Sequence, residues 1–251
     1  MTRQRNQEKQ STSTEPTSYN CEHCKDTGDV WVNAWTMREC THCNIKKIEE
    51  TQRKIAASRI TEEFKTKIFK NFDKENIEPD VKEAYNTAVD YVTKYKGIKK
   101  NRQNSIALLG SSGCGKTHLL MAVSNNLLRQ GIEVVYFPWV ETIRELSDAD
   151  KEKRADMVHR FQQCEVLFID DLFKGREAPT AFQFEIIWSI LNYRYLNHKA
   201  IMISSERSIS DLLDIDIAVG SRISEMTDLH RAFIQGDIDK VNYRIKGIEL
   251  L

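Results

Sequence analysis

The chain has 251 residues with 37 basic and 37 acidic side chains, so its formal net charge is zero. This length accommodates one well-packed domain and a small additional module. The balanced charge says nothing about a nucleic-acid partner, so such a contact must come from a local basic patch, and no apolar run approaches the roughly 20 residues that span a membrane.

The N-terminal segment, MTRQRNQEKQSTSTEPTSYN, is polar throughout. A secretion signal requires an apolar stretch that this segment lacks, and its composition is typical of a disordered chain. We therefore predict a disordered tail over residues 1–18 and a cytoplasmic location. The six cysteines then lie in a reducing compartment, where thiols bind metal or pack in a core rather than form disulfides.

Two C-x-x-C pairs follow the tail, in the arrangement C-x₂-C-x₁₅₋₂₀-C-x₂-C that is typical of a zinc site. Four thiolates surround Zn²⁺ as a closed tetrahedron, which indicates a structural site, and so small a module needs the metal in order to fold. His23 and His42 lie inside the pairs and are alternative ligands, while two disulfides or free thiols form the competing interpretation. We predict a zinc-binding module over residues 19–48. Its ligands are Cys21, Cys24, Cys40 and Cys43.

A charged stretch, residues 49–104, is predicted to form a helical connector. In DVKEAYNTAVDYVTKY the apolar residues recur at helical spacing, and Pro79 with Asp80 supplies a start signal. The apolar stripe consists of Val81, Ala84, Tyr85, Ala88, Val92 and Tyr95. A basic cluster near its end, with Tyr91 and Tyr95, indicates either contact with single-stranded DNA or a solvated helix face above core tyrosines. Its members are Lys94, Lys96, Lys99, Lys100 and Arg102.

From Ser105 onward, short apolar runs alternate with longer amphipathic stretches. The runs SIALLG, EVVYFPW, EVLFID and AIMISS are rich in Val, Ile or Leu, as expected of parallel strands that are covered on both faces. Helices are predicted between them over Lys116–Arg129, Glu141–Gln163 and Thr180–Leu196. Alternating strands and helices indicate an α/β domain with a parallel sheet flanked by helices, which we place at residues 105–251.

The segment GSSGCGKT fits the phosphate-loop pattern G-x-x-x-x-G-K-[ST] completely and lies between a predicted strand and a predicted helix. Glycines let the backbone approach phosphates closely, and N–H groups at the start of the helix face the anion. Lys116 is expected to contact the β- and γ-phosphates, and Thr117 to bind Mg²⁺. A glycine-rich turn with a chance lysine is the competing interpretation. The residues predicted to bind the nucleotide are Gly110, Ser111, Ser112, Gly113, Cys114, Gly115, Lys116, Thr117 and His118.

Polar residues at later strand ends extend this site. Asp170 and Asp171 end a strand at the edge where ligands collect in open α/β sheets. Asp170 is the predicted Mg²⁺ ligand and Asp171 polarises the attacking water, unless the two only cap the next helix. A polar residue at the end of AIMISSE either touches the γ-phosphate or ends an ordinary strand. Arg222, shortly after a predicted helix, either stabilises phosphoryl transfer in a neighbouring subunit or is a surface arginine.

GSSGCGKT, VLFIDD, IMISSE and GSRISEM, in this order, resemble the AAA+ ATPases of the DnaC/DnaI replicative helicase-loader group. DnaA and the transposition helper IstB share that core. The cysteine segment is similar to the N-terminal segment of phage-type members, and FKTKIFKNF, residues 64–72, is similar to their connector. The resemblance covers nearly all of the chain after the tail, and it implies an AAA+ P-loop NTPase with ATP, Mg²⁺ and Zn²⁺ as cofactors.

The resemblance also implies roles for single residues, with Arg222 as the arginine finger. Asp171 stands where many AAA+ members have Glu, and its shorter side chain suits slow hydrolysis coupled to partners and DNA. Glu206 stands where Asn or Asp is commoner, which makes Ser205 an equal candidate for the sensor of the γ-phosphate. The predicted catalytic residues are Lys116, Asp170, Asp171, Arg222 and Ser205.

The implied partners are a hexameric replicative helicase, bound by the zinc module, and single-stranded DNA, bound by the ATPase domain. Subunits are expected to assemble through the ATP site, with no membrane involved. A second basic cluster, which surrounds Tyr243, is another candidate for the DNA contact and comprises Lys240, Arg244 and Lys246. We predict an ATP-driven loader that delivers the helicase onto single-stranded DNA. The alternatives are an IstB-like transposition helper and an adaptor that binds ATP without hydrolysing it.

Overall fold

The computed structural model divides into two compact units, Met1–Glu49 and Glu50–Leu251. The residues that it describes are 21–25, 29–33, 36–73, 77–175, 178–236 and 241–243. The predicted tail, residues 1–18, lies outside this described part, as do three members of the second basic cluster, Lys240, Arg244 and Lys246. Among the described residues, no helix is both long and apolar enough to cross a membrane.

The first unit contains a small hairpin between the two cysteine pairs. Strands β1, Asp29–Asn33, and β2, Thr36–Glu39, are antiparallel. Helix α1, Thr41–Ala57, carries Cys43 in its first turn. Because a hairpin returns the chain to its starting point, it brings the C-x-x-C pair before β1 next to the pair after β2.

The second unit is built on a five-stranded parallel sheet. Its strands, in chain order, are β3 Ile106–Gly110, β4 Val134–Pro138, β5 Val166–Asp170, β6 Ala200–Ser205 and β7 Arg231–Ile234. Their order across the sheet is β4-β5-β6-β3-β7. Strand β6 therefore separates the phosphate-loop strand β3 from β5, and the polar ends of these three strands meet at one edge of the sheet.

Helices cover both faces of the sheet. They are α2 Glu62–Lys65, α3 Pro79–Ile98, α4 Lys116–Arg129, α5 Trp139–Asp148, α6 Lys151–Gln163, α7 Ala181–Leu196, α8 Ile209–Ile215 and α9 Ile217–Met226, with a 3₁₀ turn at Phe69–Asn71. Successive residues of β3 point to opposite faces of the sheet. Ile106 and Leu108 pack with α3 and α4 on one face, and Ala107 and Leu109 pack with α5 to α9 on the other. The predicted α/β class with a parallel sheet is confirmed.

One helix prediction is wrong in detail. The stretch predicted as one helix, Glu141–Gln163, belongs to two helices, because the chain is extended at Ala149 (φ −72°, ψ 143°). The side chain of Asp150 then accepts a hydrogen bond from the Lys153 backbone N–H and begins α6. Arg222 follows α8, as predicted, and lies inside a further helix, α9.

The tyrosines of the first basic cluster belong to the core. Tyr91 and Tyr95 are 0% and 1% exposed, and the Tyr91 hydroxyl donates to the Asn104 carbonyl at 2.9 Å. These rings cannot stack on nucleotide bases. The interpretation of this cluster as a DNA-stacking surface is therefore corrected, while its four lysines are exposed on α3 and just beyond its end.

The FKTKIFKNF segment is attached to α4, the helix that begins at the phosphate loop. Asn125 Nδ2 donates to the backbone oxygens of Phe64 at 3.0 Å and Lys67 at 2.8 Å. About two turns nearer the phosphate loop, His118 Nε2 lies 3.2 Å from the Ile68 carbonyl oxygen. The connector therefore follows one side of α4 from its middle towards its start.

Candidate functional site

The phosphate loop joins β3 to α4, as its sequence predicts. Gly110, Gly113 and Gly115 have φ angles of +109°, +73° and +92°, which glycine adopts far more readily than other residues. A Cβ atom at Gly110 would lie 2.1 Å from the backbone oxygen of Ile234, so the sheet itself excludes a side chain there. The loop can therefore turn tightly into the N-terminus of α4, which favours an anion.

The side chain of Lys116 is buried inside this loop. Its Nζ donates to the carbonyl oxygens of Gly110 at 2.8 Å and Ser111 at 2.6 Å. Cys114 is also buried, and its thiol donates to the Ser111 carbonyl at 2.9 Å, which makes it a small packing residue of the loop. The loop thus encloses one ammonium group at the place where the pattern expects the β- and γ-phosphates.

Asp170, at the end of β5, is held by three hydroxyl groups. Thr117 Oγ1 and Tyr136 Oη donate to its carboxylate at 2.9 Å each, and Ser204 Oγ donates as well. Burial raises the pKa of Asp170, and the hydrogen bonds from Ser204 and Thr117 oppose that rise. Oxygen ligands of this kind suit Mg²⁺, and the adjacent Thr117 hydroxyl and Asp170 carboxylate fit such an ion.

Asp171 adopts a left-handed backbone conformation, with a φ of +57°. Its backbone N–H donates to Ser204 Oγ at 2.8 Å, and its carboxylate accepts a hydrogen bond from Lys174 at 2.7 Å. Ser205, the predicted sensor, instead donates to the Leu172 carbonyl at 2.8 Å, because neighbouring residues of a strand point to opposite faces. Ser204 contacts both residues of the acidic pair, and the sensor role of Ser205 stays a prediction.

The loop and the acidic pair line one cleft of about 740 Å³, a volume typical of small-molecule sites. His118, predicted to bind the nucleotide, lines it too, and its ring packs edge-on against Phe72 at 5.3 Å between ring centres. Tyr243 also faces this cleft, and its backbone N–H donates to the Gly113 carbonyl at 3.0 Å. Tyr243 therefore belongs to the cleft. Its ring is the aromatic group of the second basic cluster, so the structure does not support base stacking on Tyr243 as part of a DNA contact.

A further lysine and carboxylate stand at the mouth of the cleft. Lys174 Nζ lies 3.5 Å from Glu206 Oε1, in addition to its contact with Asp171. Burial lowers the pKa of Lys174, but the hydrogen bond and the charge of Asp171 outweigh it and raise this pKa overall. For Glu206, burial alone would raise the pKa. The hydrogen bond from Ser112 and the charge of Lys174 outweigh burial, so the pKa of Glu206 lies below its usual value. Both shifts favour the charged forms of Lys174 and Glu206 near neutral pH.

Arg222 lies outside the cleft of its own chain. Its guanidinium carbon is 4.6 Å from the centre of the Trp188 ring and 5.1 Å from that of Tyr195, and Nη1 donates to the Ala218 carbonyl at 2.9 Å. This stacking fixes the side chain against α7. The structure therefore does not bring Arg222 together with the other predicted catalytic residues of the same subunit.

The four predicted zinc ligands come together in the first unit, with all their sulfur atoms within 4.8 Å of one another. Cys21 and Cys40 Sγ are 3.9 Å apart, and Cys24 and Cys43 Sγ are 3.3 Å apart. Thiolates that share a tetrahedral zinc ion at about 2.3 Å lie about 3.8 Å from one another, so the cluster fits zinc. All six cysteines are free thiols, which excludes the two-disulfide interpretation in this structure. Backbone hydrogen bonding from Cys24, with help from the Cys43 thiol, lowers the pKa of Cys21 to about 6.

We expect one zinc ion per chain in protein purified under reducing conditions, and its loss in Cys40→Ser. Cys40 is buried among the other three thiols, and a serine oxygen is a poor replacement for a thiolate ligand. Metal content can be measured by atomic absorption. Cys114→Ser removes one thiol outside the cluster and should retain the ion. A wild-type chain without metal would contradict this assignment, as would a Cys40→Ser variant with its full zinc content.

Sequence reasoning missed Tyr136 and Lys174. Tyr136 lies near the carboxyl end of β4, and the rule that ligands collect at strand ends pointed to this position. Its contact with Asp170 depends on the pairing of β4 with β5, which the sequence does not specify. Lys174 lies in the turn after β5, and no local pattern distinguishes it from other surface lysines.

Comparisons with known proteins agree with this arrangement. Residues 47–215 match the family model described as IstB-like ATP binding protein. The phage-like element PBSX protein XkdC of Bacillus subtilis (strain 168) is 41% identical over 234 residues, which cover 92% of this chain and 88% of that protein.

Two solved structures share the fold. The structure of the DnaC helicase loader has a TM-score of 0.58 at 22% identity and covers 70% of this chain and 100% of that one. The replication initiator DnaA bound to AMPPCP and single-stranded DNA has a TM-score of 0.55 at 20% identity and covers 74% of this chain and 54% of that one. Likeness at this identity establishes the AAA+ fold.

Proposed function

Since the chain belongs to the family of IstB-like ATP-binding proteins, we propose that it is a loader which uses ATP to deliver a replicative DNA helicase onto single-stranded DNA. The chain is an AAA+ ATPase, and the proposal concerns what its ATP cycle controls. The observation that carries it is a phosphate loop and an acidic pair, joined by the Thr117–Asp170 hydrogen bond, in a fold that spans the whole of the DnaC helicase loader structure.

The nucleotide chemistry follows from the residues that line the cleft. Lys116 and the loop N–H groups bind the phosphates, and Thr117 with Asp170 holds Mg²⁺, which neutralises phosphate charge when bound. Asp171, held at the edge of the cleft, orients the attacking water and accepts its proton. Tyr136 and Ser204 keep the Asp170 carboxylate in place. The short side chain of Asp171 suits slow turnover that depends on partners.

We assign the partners to separate parts of the chain. The zinc module, residues 19–48, binds the helicase, and the connector, residues 49–104, joins it to the ATPase domain, residues 105–251. Single-stranded DNA binds the ATPase domain, a proposal supported by the fold shared with DnaA bound to AMPPCP and single-stranded DNA. Subunits associate through the ATP site, and the position of Arg222 outside its own cleft supports a role for it in a neighbouring subunit.

A second candidate function is that of an ATPase which serves a transposase. It is favoured by the description of the matching family, IstB-like ATP binding protein. The core residues suit both functions, because each uses ATP to change affinity for a partner. The zinc cluster supports the loader, since it lies in a compact unit of its own, which would serve as a module for a dedicated partner.

The partner can be identified by affinity capture. Full-length tagged protein is incubated with ATP and Mg²⁺ in a lysate of cells that contain its natural partners, and the bound proteins are identified by mass spectrometry. The loader proposal expects a replicative helicase, whose retention decreases in Cys40→Ser. Capture of a transposase instead would establish the second function. Steady-state hydrolysis with DNA and the captured partner then tests the adaptor alternative, which predicts binding without turnover.

A further inference from the structure

The turn after β5 places a lysine at the mouth of the nucleotide cleft. Asp171 and Phe173 both have left-handed backbones, with φ angles of +57° and +61°, and Gly175 follows at +89°. Non-glycine residues rarely adopt this conformation, so the surrounding contacts must fix it. Phe173 supplies such a contact, because it is 4% exposed and packs edge-on against Trp139 at 5.2 Å. Lys174 is therefore presented at a defined position.

Lys174 links the ends of β5 and β6, on one side of the phosphate loop. Its Nζ lies 2.7 Å from Asp171 Oδ2, after β5, and 3.5 Å from Glu206 Oε1, after β6. Glu206 in turn accepts a hydrogen bond from the side chain of Ser112 in the phosphate loop. A continuous series of polar contacts thus runs from the loop through Glu206 and Lys174 to the residue assigned to the attacking water.

The charge of the cleft makes this lysine important for a triphosphate. The lysines that line the cleft are Lys67, Lys116 and Lys174, and the carboxylates are Glu141, Asp170, Asp171 and Glu206. Three positive charges against four negative ones leave the cleft with one net negative charge. A triphosphate is highly anionic, so its terminal phosphate needs local cations in addition to Mg²⁺.

Lys116 alone does not separate ATP from ADP. A phosphate-loop lysine contacts the β-phosphate, which both nucleotides possess, as well as the γ-phosphate. Lys174 stands further out, with a side chain that is 37% exposed and held by two carboxylates rather than by the loop. It is long enough to exchange one of these carboxylates for a phosphate oxygen.

We propose that Lys174 leaves Asp171 and pairs with the γ-phosphate of ATP, and that it thereby distinguishes ATP from ADP within one subunit. This inference rests on the proposed function, because it assumes that the cleft binds ATP. Binding then frees the Asp171 carboxylate only when a γ-phosphate is present. Lys174 is a specificity-determining residue, distinct from Arg222, which lies outside this cleft.

The test compares two nucleotides in Lys174→Met. Affinities of the full-length chain for Mg²⁺–AMPPCP, which keeps three phosphates without being hydrolysed, and for Mg²⁺–ADP are measured by titration calorimetry. Loss of one charge-assisted contact should weaken AMPPCP binding by about tenfold. ADP affinity should change by less than about twofold, since ADP lacks the group that Lys174 contacts. Lys174→Arg keeps the charge and should restore most of the AMPPCP affinity.

A second variant gives a prediction of opposite sign. Glu206→Gln removes one of the two carboxylates that hold Lys174, so AMPPCP should bind a few-fold more tightly, and ADP, which lacks the γ-phosphate, should gain less. Thermal unfolding of each variant checks that it folds. If Lys174→Met does not fold, the two single variants Glu206→Gln and Lys174→Arg still provide the test. Equal changes for the two nucleotides, or none for either, would overturn the role of Lys174. A wild-type chain that binds neither nucleotide would instead overturn the proposed ATP site.

Discussion

Lys116→Ala is expected to lower nucleotide affinity by at least about 100-fold and to reduce ATP hydrolysis to background, because it removes at least two charge-assisted hydrogen bonds to phosphate. The carboxylates of Asp170 and Asp171 then face the phosphates without the buried ammonium that compensates them. In the structure the Nζ atom of Lys116 donates to the carbonyl oxygens of Gly110 and Ser111, so the alanine variant also removes both of these hydrogen bonds inside the loop.

The measurement is a fluorescence titration with a labelled adenine nucleotide and Mg²⁺, followed by steady-state hydrolysis. Lys151→Ala, an exposed lysine at the start of α6, is the matched control and should bind nucleotide like the wild type. Circular dichroism shows whether the alanine variant keeps its fold. Saturable uptake of nucleotide by a folded Lys116→Ala chain, at wild-type affinity, would mean that the loop does not bind phosphate.

Arg222→Ala should leave ATP affinity within about twofold of the wild type and reduce turnover of the assembled complex on the order of 10³-fold. The two effects differ because Arg222 does not line its own cleft, where affinity is determined, and would act on the nucleotide of a neighbouring subunit. To reach that nucleotide it must leave the ring of Trp188, so assembly should also alter the fluorescence of this tryptophan. Hydrolysis is measured with the captured partner and single-stranded DNA. Arg129→Ala, an exposed arginine at the end of α4, is the control.

Mixed complexes provide a sharper test of this arrangement. Lys116→Ala subunits retain Arg222, and Arg222→Ala subunits retain Lys116, so a mixture contains interfaces at which both groups are present. Mixing two inactive variants should therefore restore part of the activity. Normal turnover by Arg222→Ala alone, or no recovery on mixing, would exclude an arginine that acts between subunits.

The strands were predictable from sequence because each is a short apolar run that lies between helices and is buried on both faces. The break between α5 and α6 was not predicted, because the charged residues around it also suit the exposed face of one continuous helix, although Asp150 is a favourable residue for a helix start. Strand β7, Arg231–Ile234, was missed because it is only four residues long and begins with an arginine, which leaves a run of three apolar residues.

The site was predictable where one segment carries the chemistry and unpredictable where distant segments meet. The loop and the acidic pair each form a local pattern. The choice between Ser204 and Ser205 depends on which face of β6 each occupies, and the contact of Tyr136 with Asp170 depends on the order of the strands. Sequence spacing contains neither piece of information.

The attachment of the connector to α4 has a mechanical consequence. Asn125 and His118 hold backbone oxygens of Phe64, Lys67 and Ile68, and α4 starts at the loop that surrounds the phosphates. A helix that moves as a rigid body also moves the segments that are hydrogen-bonded along its length. If a change of nucleotide tilts α4, these contacts would carry the movement to the segment that leads back towards the N-terminus, which is the segment we propose to join the ATPase domain to the partner-binding module.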